Sequence, residues 1–357
     1  MLEEYGEGHI LLEVIAEVRR VDGEDGGRCK QEKDHRYADY GCRIGFYQPS
    51  ADNMFITFSH MRILAKIVKK NYYLCNEFAQ EFVFEMEETK KVLYVCSEIF
   101  PYLPESDIAA VGRYLPSGIQ ELGGGIRAFM PRYGLINERR NQLHEVIRLS
   151  GMNLVIDGAD HPLVIKVSSI AAARMQVYFI DNEDYFHRKA VDCDADGKFF
   201  SDNDERAIFF AHGVLETVKK LRWKPDVVHC IGWISHLVPV MLKKLYNNDP
   251  LFEDTKVVVS LFNDRAGEKF NEGLVSKLEA SGLAGGDVEE AGGCDVASLA
   301  KLAVRYADGV ITREDAVPEE IRSYIEKSGI PVAQFKVFDP SDPETVGAVD
   351  RFYDEIR

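Results

Sequence analysis

The residues that could do chemistry in this chain stand where apolar runs end. Glu98 follows the run Val92, Leu93, Tyr94, Val95; His229 and Trp233 sit at the end of PDVVHCIGW; and Tyr102, Tyr133, Tyr185 and Phe186 lie just past other such runs. A carboxylate in that place serves either as a base or as a cap for the following loop, and both roles stay open for Glu98. His229 is likewise either a ligand contact or a histidine satisfied inside the fold. Flat aromatic faces beside hydrogen-bonding groups suit sugar rings, and the same residue types also serve as core or rim aromatics. Contact with a flat ring and core packing both stay open for these aromatics. No serine, cysteine or paired-carboxylate arrangement points to a hydrolase.

Other motifs carry less. Asp192, Asp194, Asp196 and Gly197 resemble the start of a calcium loop, but position twelve is Asn203 where a glutamate is required, so a solvated turn is the reading. Gly123, Gly124 and Gly125 precede an apolar run instead of following one, which suits a helix stop and not a dinucleotide fingerprint. The seven cysteines are scattered without C-x-x-C spacing, against a disulfide framework or a zinc site, and neither metal nor cofactor is implied. A net charge of −16 disfavours nucleic acid and anionic membranes as partners. No run approaches the ~20 apolar residues of a membrane span, and the acidic start MLEEYGEG is wrong for a secretory signal. The expected compartment is the cytoplasm.

The elements that must position these residues follow from the spacing of the apolar runs. Residues 90–134, KKVLYVCSEIFPYLPESDIAAVGRYLPSGIQELGGGIRAFMPRYG, read as strand, turn, helix, glycine turn and second strand. That βαβ order implies a parallel sheet with right-handed crossovers. Ligands bind such sheets at the carboxyl ends of strands, so residues 97–107 are the first place to expect chemistry. Residues 139–181 carry short alternating runs that read as hairpins ending in a core strand at 175–180. Residues 202–221 have helical spacing and an acidic first turn. Strand and helix then alternate through PDVVH, SHLVPVMLKKLY and KVVVSLFND, with a helix over 298–307, a strand over 309–312, a helix over 318–328 and a terminal amphipathic helix. Residues 264–295, acidic and glycine-rich, are expected to be a mobile loop. Mostly aperiodic polar sequence makes residues 1–85 an expected poorly ordered extension. The division is thus 1–85 extension, 86–330 an α/β domain with a doubly wound, mainly parallel sheet, and 331–357 a tail with a terminal helix.

VCSEIFP at 95–101, Leu115-Pro116 and MPRYG at 130–134 resemble the opening of bacterial glycogen synthases and plant starch synthases, glycosyltransferase family 5. In that family VCSE-x-x-P is followed by Lys-Thr-Gly-Gly-Leu-Ala-Asp, a Leu-Pro and a second strand. Asp202, Asn203 and Arg206 match its Asp-Asn-x-x-Arg helix, and YADGVITREDAVPEEI resembles its Tyr-Ala-Asp-x-(Ile/Val)-Thr strand and helix. The resemblance covers roughly residues 90–327 and implies a doubly wound Rossmann-like sheet, the amino-terminal domain of a GT-B glycosyltransferase.

What the resemblance implies about function is glucosyl transfer from ADP-glucose to the non-reducing end of an α-1,4-glucan. The sequence departs from the family pattern at several positions. Pro104 and Glu105 stand in place of the Lys-Thr pair, and Ser106 and Asp107 in place of the glycine pair; a lysine and close backbone N–H groups suit phosphate, whereas a proline with two acids does not. His-x-His-Asp-Trp-His becomes His229, Cys230, Ile231, Gly232, Trp233, Ile234, and Thr-Val-His-Asn becomes Ser260, Leu261, Phe262, Asn263. Transfer needs preorganised polar groups, and each loss costs on the order of a hundred-fold. The implied partners are an α-glucan such as glycogen, ADP-glucose, and a separate chain that supplies a second GT-B domain, with transfer incomplete in this chain alone and its catalytic residues unassigned. The alternative is a non-catalytic glucan-binding or regulatory protein. Candidate sugar contacts are Glu98, Tyr102, Tyr133, Asp202, Asn203, Arg206, His229, Trp233 and Asn263.

Overall fold

A computed structural model describes residues 89–357 apart from 263, 264, 266 and 315. Residues 1–85, expected to be an extension, lie outside these described residues. The first strand, β1 (Lys91–Cys96), is buried from Val92 to Cys96, as befits a strand covered on both faces of a parallel sheet. Ser106 caps the next helix, α1 (Asp107–Glu121), accepting a hydrogen bond from the Ala109 amide at 3.0 Å. Then come β2 (Gly125–Pro131), β3 (His144–Glu145), β4 (Met152–Ile156), β5 (Ala159–Ile170) and β6 (Met175–Asp181). The single-turn helix α2 (Glu183–Phe186) and the long helix α3 (Asn203–Leu221) lead back to β7 (Val227–Ile231). The remaining elements are α4 (Val238–Lys244), β8 (Lys256–Leu261), α5 (Leu274–Ala280), α6 (Val296–Tyr306), β9 (Gly309–Arg313), α7 (Glu319–Ser328), β10 (Val332–Phe335) and α8 (Pro343–Ile356).

The strand order is β10-β9-β8-β7-β1-β2-β6-β5-β3, with β4 pairing to β5. Strands β10 through β6 run parallel, while β5 is antiparallel to β6 and β3 to β5. From β1 the chain first builds outward through β2 and β6, then crosses back by α3 to β7 on the other flank of β1. The topology therefore switches direction between β1 and β7, and their carboxyl ends open a crevice. This is the doubly wound α/β sheet with an antiparallel excursion that the run spacing implies.

Three local expectations need correction. Residues 264–295 are not a loop without structure: α5 lies within them, and Leu274, Leu278, Leu283, Val288 and Ala291 are buried. Apolar residues three to five apart hold the segment down. In the region 139–181 the run HEVIRL contributes a strand of only two residues, while the hairpins β4–β5 and β5–β6 form and end in the core strand β6 as expected. Strand β10 was not anticipated, because its alternately exposed and half-buried residues lack an apolar run.

Helix α8 closes the sheet. Val346, Val349, Phe352 and Tyr353 are buried, and Lys90 pairs with Asp350 at 2.7 Å and Asp354 at 2.8 Å. A Cβ on Gly118 of α1 would stand 2.8 Å from Val346, so the close approach of the two helices depends on that glycine.

Candidate functional site

At the switch point the Ser97 amide donates to the Ile231 carbonyl at 2.8 Å, joining the turns that leave β1 and β7. Gly112 lets α1 press on the first of these turns, since a Cβ there would lie 2.5 Å from the Glu98 carbonyl oxygen. Glu98 is half-buried, and its Oε2 accepts from the Ser106 hydroxyl at 2.9 Å. Burial, with a smaller contribution from the nearby Asp192 charge, pushes the Glu98 carboxyl above its ordinary value, while the Ser106 bond and Arg265 pull the other way. Both readings of Glu98 thus have support: it fixes the cap of α1 and it keeps a raised carboxyl at the crevice. Pro104, Glu105, Ser106 and Asp107 are exposed around the amino end of α1. Carboxylates there complement the helix dipole and repel the phosphate that such an end would otherwise attract.

The opposite wall is built by the Asp-Asn-x-x-Arg residues. Asn203 and Arg206 are fully buried. Arg206 donates through Nε to the Tyr185 carbonyl at 2.8 Å and through Nη2 to the Val191 carbonyl at 2.6 Å, and it also donates to Asn203 Oδ1. The Asn203 amide donates to the Asp192 carbonyl at 2.8 Å, and Asp202 forms an ion pair with Arg188. Burial pulls the Arg206 guanidinium down from its ordinary value, and the bonds to these oxygens are what make its charge tolerable. The three residues therefore act on the chain that leads to Asp192, and Asn203 and Arg206 have no surface for a sugar.

Asp192 is what that clamp presents. Its Oδ2 accepts from Trp233 Nε1 and from Arg265 Nε, each at 3.1 Å, and its Oδ1 accepts from Arg265 Nη2 at 2.9 Å. Trp233 is 3% exposed and packs against Phe199 and Phe270 at ring separations of 5.2 and 5.7 Å. The indole consequently holds the carboxylate and offers no open face to a sugar ring, which corrects the expectation for Trp233. Tyr102 and Tyr133 are also buried, at 7% and 1% exposure, with edge contacts to Phe179 and Phe186. Asn263 lies outside the described residues. Asp192 had been read as part of a solvated turn and Arg265 as part of a mobile loop, so sequence reasoning missed both. The turn itself is real: Asp194 Oδ1 accepts from the amides of Asp196 and Lys198.

His229 lies in the middle of β7 and not at its end. It is fully buried; Nδ1 meets the Tyr353 hydroxyl and Nε2 the Ser260 hydroxyl, each at 2.6 Å, and Tyr353 meets the Tyr94 hydroxyl at 3.2 Å. Burial holds its pKa down to about 3, so the ring is neutral and its two nitrogens are both occupied. His229 is thus the satisfied interior histidine. A second buried histidine, His236, has no hydrogen-bond partner on either nitrogen among the described residues and faces a cavity of about 10 Å³, room for one water, beside Leu261, Phe262 and Val296. Among the described residues no group of three or more His, Cys, Asp or Glu is placed to hold a metal ion, and no helix is long and apolar enough to cross a membrane.

The comparisons with known proteins agree with this architecture. Residues 91–330 match the family described as starch synthase catalytic domain. A glycogen synthase of Pelodictyon phaeoclathratiforme is 33% identical over 234 residues, covering 65% of this chain and 47% of the relative. One from Chlorobium limicola is 38% identical over 174 residues, covering 48% and 36%. In fold, the chain is similar to the catalytic domain of starch synthase IV from Arabidopsis thaliana bound to ADP and acarbose, with a TM-score of 0.59 at 17% identity over 71% of this chain and 52% of that one. The chain spans about half the length of the relatives it matches, or less. With the match running from the first described strand through α7, it belongs to the starch synthase catalytic domain family.

Proposed function

We propose that this protein acts in glucan metabolism as the amino-terminal half of a glucosyltransferase that binds an α-1,4-glucan such as glycogen, with transfer from ADP-glucose completed by a separate chain carrying the second GT-B domain. One observation carries the reading that this chain does not transfer glucose alone. The amino end of α1, where the family's Lys-Thr-Gly-Gly loop would meet phosphate, carries Pro104, Glu105, Ser106 and Asp107. Acids in that place raise the cost of a diphosphate, whereas a neutral glucan is indifferent to them. Family membership supports the glucan. The free cysteines Cys96, Cys193, Cys230 and Cys294 fit a reducing compartment, and we place the protein in the cytoplasm.

The test is transfer of labelled glucose from ADP-glucose and UDP-glucose into glycogen by the full chain, together with its retention by glycogen in co-sedimentation. Retention without incorporation is expected, with incorporation appearing when a co-purifying partner is added. Incorporation by the chain alone, above a heat-killed control, overturns the two-chain reading. Failure to be retained by glycogen overturns the glucan reading.

A further inference from the structure

The Asp192–Arg265 pair is asymmetric. The Asp192 side chain is 5% exposed and is gripped from the interior, by Trp233 on its carboxylate and by Asn203 on its carbonyl; its countercharge, the Arg265 side chain, is 43% exposed. An interior arginine would have closed the pair off from solvent. Instead, a buried and fixed carboxylate holds an arginine at the carboxyl edge of the sheet. A guanidinium has five N–H donors in a planar fork, and Asp192 takes two of them, Nε and one at Nη2. Fixing those two in advance removes rotamer entropy that a free surface arginine would lose on binding. Glu98 lies within electrostatic reach of both residues, with the Ser106 hydroxyl on its Oε2.

We propose that Arg265 is a sugar-binding residue, held as a ready donor fork by Asp192, and that with Glu98 it brackets neighbouring hydroxyls of the terminal glucose unit of the glucan. The inference rests on the glucan reading above and adds Arg265 and Asp192, which lie outside the motifs that carry the family resemblance. Vicinal hydroxyls both donate and accept, so a carboxylate and a guanidinium near one another match them without demanding charge on the ligand. Asp192 is in this scheme a positioning residue. The charged and titratable groups whose electrostatic influence couples to Glu98 are Asp192, Arg265 and Tyr133, and the Ser106 hydroxyl donates to it directly.

The experiment is calorimetric titration of the full chain with maltoheptaose across pH, for the native protein, Arg265→Met, Arg265→Lys and Asp192→Asn. Loss of charged hydrogen bonds predicts binding weaker by on the order of ten- to a hundred-fold in R265M, with R265K in between. Arg265 pulls the Glu98 carboxyl down and Asp192 pushes it up, so the acid limb of binding moves to higher pH in R265M and to lower pH in D192N. The limb reports the part played by Glu98, and the loss of affinity in R265M at a pH above that limb reports Arg265 itself. Native affinity in a folded R265M overturns the inference and leaves the glucan reading intact. No binding by the native chain overturns both. Should R265M fail to fold, R265K, which keeps the charge and the stem, decides: affinity and acid limb equal to the native protein overturn the inference.

Discussion

Two polar networks touch β7 and its neighbours, and they end in opposite ways. The first runs through the sheet from Tyr94 to Tyr353, His229 and Ser260; every member is buried, and the histidine is neutral. The second runs from Arg206 and Asn203 through Asp192 to Trp233 and Arg265, is charged, and reaches solvent at the arginine. His229 and Trp233 are four residues apart on one sequence motif, yet one belongs to each network. What separates scaffold from site here is where the network ends, not which residue types compose it. A closed neutral chain can stabilise a fold and do little else, whereas a network with one fixed and one open end can present a group to a ligand.

That contrast can be broken at either end. The largest effect is expected from Arg206→Leu, which removes a buried cation and leaves three oxygen acceptors without their donor; about 3–5 kcal/mol of stability should go, read as a lower urea midpoint at unchanged slope. A loss below about 1 kcal/mol would mean that the clamp on Asp192 is not held this way. His229→Phe should cost less, about 2–3 kcal/mol, since it strands the Ser260 hydroxyl and leaves that of Tyr353 only the longer bond to Tyr94. Tyr353→Phe in that background should then cost little more, because the pair has already been broken.

The two buried histidines also set a pH dependence. Burial holds His229 at about 3 and His236 at about 4, against an ordinary value of 6.5. With folded values below the unfolded one, the unfolded chain takes up protons first as pH falls. These two groups therefore leave stability flat above about 7 and erode it from about pH 6.5 down to 4 and 3, each by at most about 1.4 kcal/mol per pH unit. His236→Phe should reduce that slope between pH 6.5 and 4; an unchanged slope would show His236 protonated in the fold. At pH 8 the same substitution sharpens the comparison with its smallest effect, a change near zero, because no hydrogen bond to a protein group is lost. A cost like that of His229→Phe would place a bound water on the ring.

How much was legible in the sequence depended on how far apart the partners stand. β1, β7 and β8 could be read because each is an apolar run buried on both faces, and α3 because its apolar residues recur at helical spacing. The location of the crevice followed from strand order. The role of Asp192 did not, because its partners Trp233 and Arg265 are 41 and 73 residues away and its own neighbourhood, DCDADG, looks like any solvated turn. Asn203 and Arg206 are found by resemblance as sugar contacts but are buried, since nothing local announces that Arg206 points inward to the carbonyls of residues 185 and 191. Aromatic residues past strand ends proved ambiguous for the same reason: exposure is settled by long-range packing, and Trp233 is covered by Phe199 and Phe270 from other segments.

Helix α8 has a consequence for how the protein is made. Its anchors reach back across nearly the whole described chain: Lys90 to Asp350 spans 260 positions, Tyr94 to Tyr353 spans 259, and His229 to Tyr353 spans 124. When a ribosome has added residue 340, all ten described strands have been synthesised, but Tyr94 and His229 still lack their hydroxyl partner and α1 still lacks its neighbour at Gly118. The nascent domain cannot close until that helix has left the exit tunnel, so closure waits for a segment made some 260 residues after β1 begins. Until then the growing chain exposes an uncovered apolar sheet face, the kind of surface that chaperones hold.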